Sequence, residues 1–332
     1  MTRLLGMAVV LVAMASASSE AEGKFSGSVF ADAYWFAGNH DAASEDANGV
    51  WMRRVYLTYD VGQGDNVGMR LRLESSSPGL NSGTGKLEPF AKDAYLEWRP
   101  GGGKHTVYLG LSGTPTFAGF EKAWGYRSVE KTPVDLYRLG STRDIGVALK
   151  GHLSDKLDYH VMIGNGNGTS SETTKGKKYM AAVGLSLTDD ITLRGNFDFN
   201  DDVGGGSQIT GQGFLYQVTD DYRWGVHFAY YKSDDGNADY TVNVVSGYGA
   251  FRLGEATSLV GRVDRAMDEN PRAAGISYLP MAGNSKLLFV LVGIDYSPEP
   301  QFQVIPNVEF VTYDESGVDA DLVGRLTFAY KF

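Results

Sequence analysis

Apolar and polar residues alternate along most of this chain. In residues 320–332, Leu322, Gly324, Leu326, Phe328, Tyr330 and Phe332 occupy one set of alternate positions. Asp321, Val323, Arg325, Thr327, Ala329 and Lys331 occupy the other. Successive side chains of a strand point to opposite faces, so the segment reads as a strand with one apolar and one largely polar face. Val67, Met69, Leu71 and Leu73 alternate in the same way with Gly68, Arg70, Arg72 and Glu74. So do Leu157, Tyr159, Val161 and Ile163 against Asp158, His160 and Met162. The pattern returns in 190–199 and 222–232, and about sixteen such segments can be read, an even number as closed barrels require. They lie near 24–36, 50–60, 67–75, 90–99, 104–112, 143–151, 157–165, 178–188, 190–199, 208–218, 222–232, 241–253, 257–267, 286–296, 301–313 and 320–332. The pattern leaves the register of 208–218 and 241–253 open. In 286–296 both faces are apolar, with Leu287, Phe289 and Leu291 against Leu288, Val290 and Val292.

The connections alternate too. Short ones such as "VGQGDN", "PGGG", "HLSDK" and "TDD" are separated by long ones at 37–49, 76–89, 113–142, 166–177, 200–207, 233–240, 268–285 and 314–319. A soluble sandwich also alternates apolar and polar positions, but its turns are not sorted into two lengths. A transmembrane barrel has short turns at one end, long loops at the other, and aromatic girdles at the strand ends. Tyr34, Trp35, Trp51, Tyr59, Trp98, Tyr222, Tyr230, Tyr296, Tyr313 and Phe332 are candidates for those girdles. The expected fold is therefore all-β: a transmembrane, antiparallel, up-and-down β-barrel of about sixteen strands. Its last strand should pair with "KFSGSVFADAYWF", leaving no open edge.

The N-terminus adds a destination. "LLGMAVVLVAMASA" after Arg3 is an apolar run followed by small residues, the pattern of a leader peptide. Residues 1–21 are expected to be removed, by cleavage after Ala17 or Ala21, leaving 22–332 as one domain. Net charge is −10, which disfavours nucleic acid as a partner. There is no cysteine, so neither disulfides nor thiolate chemistry is available. Beyond the leader no apolar run is long enough for a membrane helix.

Together the leader, the alternation and the ending "TFAYKF" resemble a Gram-negative outer-membrane porin. "WMRRVYLTYD", "KDAYLEW" and "RDIGVALKG" are similar to segments of the phosphate-selective porins of the O and P type. The resemblance implies a homotrimer of water-filled barrels in outer-membrane lipid. It also implies that the barrel-assembly machinery reads Phe328, Tyr330 and Phe332. In such porins the third long loop folds into the lumen and narrows it. Here that loop is 113–142, whose Phe117, Phe120, Trp124, Tyr126 and Tyr137 suit a segment packed against a wall. The apolar inner face of 286–296 is a candidate for that wall.

A pore selects by width and by the charges at its narrowest point. The candidate basic wall is Arg54, Arg70, Arg72, Arg194, Arg262 and Arg325, with Asp198 and Asp264 as acidic counterparts. Centring the hairpin turn near Gln63 places Arg54 opposite Arg72 and Tyr56 opposite Arg70. The loop offers Glu121, Lys122, Arg127, Glu130, Lys131, Asp135 and Arg138. Arginine forks suit carboxylates and phosphates, so small hydrophilic solutes and anions are the expected cargo. A phosphate channel should be rich in lysine and arginine, and this chain is acidic, with much of that charge in its loops. No G-x-S-x-G or H-E-x-x-H motif is present, and no cofactor or metal is expected. His160 and His227 read as lumen lining. The "GNGNG" at 164–168 lies in a loop and lacks the strand-to-helix setting of a phosphate cradle. The competing readings are a barrel enzyme of the lipase or protease type and a plugged structural barrel.

Overall fold

A computed structural model describes residues 21–332, apart from 64, 78, 81–84, 102, 204 and 235–238. The expected leader peptide falls outside the described residues, save its last position. Sixteen strands follow one another: β1 (Ala21–Gly38), β2 (Asn48–Gln63), β3 (Val67–Ser75), β4 (Phe90–Trp98), β5 (His105–Gly113), β6 (Arg143–Ser154), β7 (Leu157–Gly164) and β8 (Lys178–Ser186), then β9 (Ile191–Val203), β10 (Gly206–Val218), β11 (Tyr222–Asp234), β12 (Asp239–Arg252), β13 (Thr257–Ala266), β14 (Leu287–Glu299), β15 (Phe302–Tyr313) and β16 (Asp321–Lys331). Each pairs antiparallel with its sequence neighbours, and β1 pairs with β16, so the sheet closes into a barrel. Two short helices, α1 (Ala118–Trp124) and α2 (Pro133–Leu136), lie between β5 and β6.

The outer face is apolar. Val226, Phe228, Leu193, Phe197, Leu326 and Tyr330 are exposed on it, while Asp32, Asp198, Asp264, Glu309 and Thr327 are buried on the inner side. Among the described residues no helix is long and apolar enough to cross a membrane; the strands are the spanning elements. A charge on the lipid face at mid-membrane costs about 2–4 kcal/mol. Val226→Arg, at a position 54% exposed on that face, should lower the barrel's unfolding free energy by about that amount. Val226→Leu should leave it unchanged, and denaturant titration in lipid vesicles checks both.

The expected strand set is recovered, with three differences in detail. The segment 200–207 is not a long loop: β9 runs to Val203 and β10 begins at Gly206. Tyr34, Trp51 and Tyr313 are not girdle residues. Tyr34 stacks on Trp51 inside the barrel with ring centroids 3.8 Å apart, and Tyr313 donates to the buried Asp321 at 2.5 Å. Finally, Arg72 pairs with Thr58 and Arg70 with Asp60, so Arg54 and Arg72 are not opposite one another. Gln63 pairs with Val67, which centres the turn on Asp65 rather than Gln63.

Of the β-bulges that interrupt the ladders, those in β2 and β4 bear on the interior. Phe30 pairs with Arg54 and Ala31 with Met52, leaving Arg53 as the extra residue in β2. Arg72 pairs with Asp93 and Leu73 with Ala91, leaving Lys92 as the extra residue in β4. A bulge sets two successive residues against one on the partner strand. Here each turns a basic residue inward beside a neighbour that already faces in.

Candidate functional site

The inside of the barrel divides into a packed half and an open half. The connection 114–142 reaches strands all round the ring. Thr116 donates to Asp198 of β9 at 2.5 Å, and Gln212 of β10 donates to the Thr116 carbonyl at 2.9 Å. Tyr137 donates to Asp264 of β13 at 3.1 Å. Arg325 of β16 meets Glu130 at 3.4 Å, and Arg53 of β2 donates to the Ser128 and Val129 carbonyls. Phe117, Phe120, Trp124, Val134, Leu136 and Tyr137 are buried against inward apolar residues such as Phe214, Tyr248 and Phe289. The wall expected of 286–296 is present, since Leu287, Phe289 and Leu291 of β14 join this interior core.

A second connection, 267–286, packs on the first. Tyr278 donates to Glu130 Oε1 at 2.6 Å, and its carbonyl accepts from Arg325 Nη2 at 3.2 Å. The charged groups Arg53, Lys131 and Arg325 lie over its ring at 5.6, 5.0 and 5.5 Å. Asn270 donates to the Tyr137 carbonyl at 2.9 Å. Arg138, exposed and in the left-handed region (φ 59°), donates to the Gly275 carbonyl at 3.0 Å. Arg138 thus ties loop to loop and lies away from the basic wall, and Lys122 is exposed on α1.

Arg262 and Arg325 belong to the packed half and not to an open basic wall. Arg325 is shared by Glu309 at 2.8 Å and Glu130 at 3.4 Å. Arg262 pairs with Asp264 and donates to the Lys131 carbonyl. Only 2% and 4% of their surface is exposed, for Arg262 and Arg325 respectively. Arg53 forms a third buried pair, 2.8 Å from Asp32. The Arg325 and Arg53 charges hold the Glu130 carboxyl below the usual range, although burial by itself would raise it more than any single charge lowers it.

Polar side chains of β2 to β9 line the open half. Glu74 lies 3.4 Å from Arg54 and 3.0 Å from Lys92. Asp93 lies 3.2 Å from Arg72 and also binds Arg143. Each carboxylate is therefore shared by two cations. Arg70 grips Asp60 with two nitrogens, at 2.6 and 2.9 Å, and Arg194 meets Asp158 at 2.6 Å. Arg54 and Arg72 lie over the Tyr56 ring at 5.5 and 5.1 Å. A cavity of about 210 Å³ opens between Arg70, Arg72, Arg143, Lys150 and His160.

Opposite stands the acid edge of the connection. Arg127 lies 3.2 Å from Glu121 and 2.9 Å from Asp135. Burial works to raise the Asp135 pKa, but Lys131, Arg127 and the wall residues Arg54 and Lys92 pull it below the usual carboxylate range. Lys131 is held below the ordinary lysine range, first by burial and then by the repulsion of Arg127 and Arg54.

Of the expected wall, the structure gathers Arg54, Arg70, Arg72 and Arg194 in the open half. His160 lies on its cavity, whereas His227 bonds Gln212 at 3.0 Å in the packed half. The sequence reading missed Arg53, Lys92, Arg143, Glu309 and Tyr278. A signal did exist for two of them. Strict alternation would turn one residue of Arg53-Arg54 and one of Lys92-Asp93 toward lipid. That cost argues for a bulge at each place.

No family model matches the sequence, and no curated protein matches it. Solved structures do. The anion-selective porin from Comamonas acidovorans superposes with a TM-score of 0.69 at 12% identity, over 94% of this chain and 100% of that one. The outer membrane channel DcaP of Acinetobacter baumannii gives 0.67 at 13%, over 95% and 99%. OmpF of Salmonella typhi, in complex with daunomycin, gives 0.67 at 10%, over 94% and 98%. The chain has the fold of the bacterial outer-membrane porins. With its apolar outer face, that fold makes it an integral outer-membrane β-barrel.

Proposed function

We propose that this protein is a passive diffusion channel for small hydrophilic solutes and ions, with a preference for anions. The observation that carries the preference is the sharing of Glu74 and Asp93 by two cations each. The open half presents Arg54, Arg70, Arg72, Lys92, Arg143, Lys150 and Arg194 against Asp60, Glu74, Asp93 and Asp158. In this group around the shared carboxylates, cations outnumber acids. The facing loop edge balances Arg127 and Lys131 with Glu121 and Asp135. The connection 114–142 is then the constriction, and solutes pass between its charge-balanced edge and the basic wall. Inorganic phosphate fits as one such anion because guanidinium forks donate to its oxygens in pairs. The porin fold supports a homotrimer, delivered to the outer membrane by the barrel-assembly machinery.

The test is the zero-current potential of the reconstituted protein across a planar bilayer under a KCl gradient. A potential of the sign set by chloride is expected. A potential of the opposite sign overturns the anion reading, and absence of steady conductance overturns the channel reading in favour of a plugged barrel or an enzyme.

A further inference from the structure

A second cavity, of about 590 Å³, lies toward the barrel end that carries the long connections and shares no lining residue with the cavity on the basic wall. It is enclosed by the β8 to β10 wall, by residues 139–141 where the constriction loop returns to β6, and by the turn 165–168. Arg272 of the connection 267–286 closes another side. The glycine-rich turn, which has no part in the passage, is fixed in place as a cavity wall. Gly166 has φ +91°, its N–H donates to Asp144 at 2.9 Å, and its carbonyl accepts from Asn200 at 3.2 Å. A Cβ there would come within 2.2 Å of Asn200 Oδ1, so only glycine seats the turn this closely.

The lining is of one chemical kind. It presents two cations, Lys178 and Arg272, and two carboxylates, Asp198 and Asp201. Lys178 and Asp198 lie 3.4 Å apart, and Arg272 is steadied by the Tyr231 hydroxyl at 2.6 Å. The remaining polar lining is amide and hydroxyl, including Asn165, Asn200, Gln208 and Thr210, and no aromatic ring is among the lining residues. A phosphate site would carry an excess of cations, as the passage does. A sugar site would offer an aromatic face for the ring to stack on, and this lining has none. A zwitterion with amide groups between its ends matches both features, and the volume is in the range of small-ligand sites.

We propose that this cavity binds short zwitterionic peptides before they enter the passage. The binding step rests on the cavity alone, and its place on a transport route rests on the channel reading above. The ammonium end lies against Asp201, the carboxylate against Arg272, and the peptide groups exchange hydrogen bonds with Asn200 and Gln208.

The probe is trialanine. In planar bilayers it is expected to block the KCl current reversibly, while its N-acetylated, C-amidated form and maltotriose do not. Arg272→Gln and Asp201→Asn should each weaken the block about ten- to a hundredfold, as for loss of a charge-assisted hydrogen bond, with KCl conductance and zero-current potential unchanged. Equal block by the capped peptide or maltotriose overturns the proposal, as does a block indifferent to both substitutions. Calorimetric titration of trialanine into the detergent-solubilised barrel separates the two readings. Binding without conductance leaves the cavity assigned and removes the channel; conductance without binding does the reverse.

Discussion

Replacing Arg72 and Arg143 together by alanine is expected to abolish most of the anion preference and to enlarge the conductance. Both cations serve Asp93, so their loss removes two positive charges from the wall and leaves that carboxylate bare beside the aperture. A unit charge acts with about 1 kcal/mol at 4 Å in a water-like medium. Removal of two, about 2 kcal/mol together, should therefore lower the anion-to-cation permeability ratio by roughly thirtyfold. The measurement is the zero-current potential in a KCl gradient, with single-channel conductance recorded alongside. If the double variant keeps both the potential and the conductance of the parent, the passage does not run past Asp93.

The second large effect is on stability. Arg325 is the common partner of two buried carboxylates, Glu130 of the connection 114–142 and Glu309 of β15. Arg325→Met removes the cation and leaves both acids in the interior. Breaking a buried ion pair from one side costs about 3–5 kcal/mol. Because Glu130 also accepts from Tyr278, the loss should free both connections from the wall as well as weaken the ring. A lower midpoint in detergent–guanidinium titration is expected, together with noisy, larger openings in bilayer recordings. Arg325→Met combined with Glu309→Leu should recover part of the midpoint, since one stranded charge is removed along with its partner. An unchanged midpoint in the single variant would mean that water or a proton already compensates these acids.

The places where sequence reasoning succeeded and failed have a common physical cause. Alternation marks a strand only when its two sides meet different media. In β3, β7, β9, β11 and β16 lipid lies on one side and mostly polar groups on the other, and the pattern is plain. In β12 and β14 the inner side is covered by the two inserted connections, so Val242, Val244, Tyr248, Leu287, Phe289 and Leu291 are as apolar as the residues that face lipid. Those are among the segments whose faces could not be told apart. At 200–207 the sequence runs through Asn200, Asp201 and Asp202 into glycines and carries no apolar face, so the ends of β9 and β10 read as a loop. Alternation also fixes only parity. Moving the β2–β3 turn from Gln63 to Asp65 keeps every residue on its face and changes every partner, so Arg54 and Arg72 were correctly sided and wrongly matched. The shared carboxylates were beyond reach because Lys92 enters through a bulge and Arg143 comes from three strands away from β3.

The filling of half the bore has a consequence for how such a conduit can be resized. In an empty cylinder, bore width follows from the number of staves, and changing it means rebuilding every seam. Here the staves set only the outer shell, while two inserts hung between β5 and β6 and between β13 and β14 decide how much of the interior is left free. Trimming or swapping residues on those inserts would retune the aperture while the shell, its seams and its fit to the surrounding bilayer stay as they are.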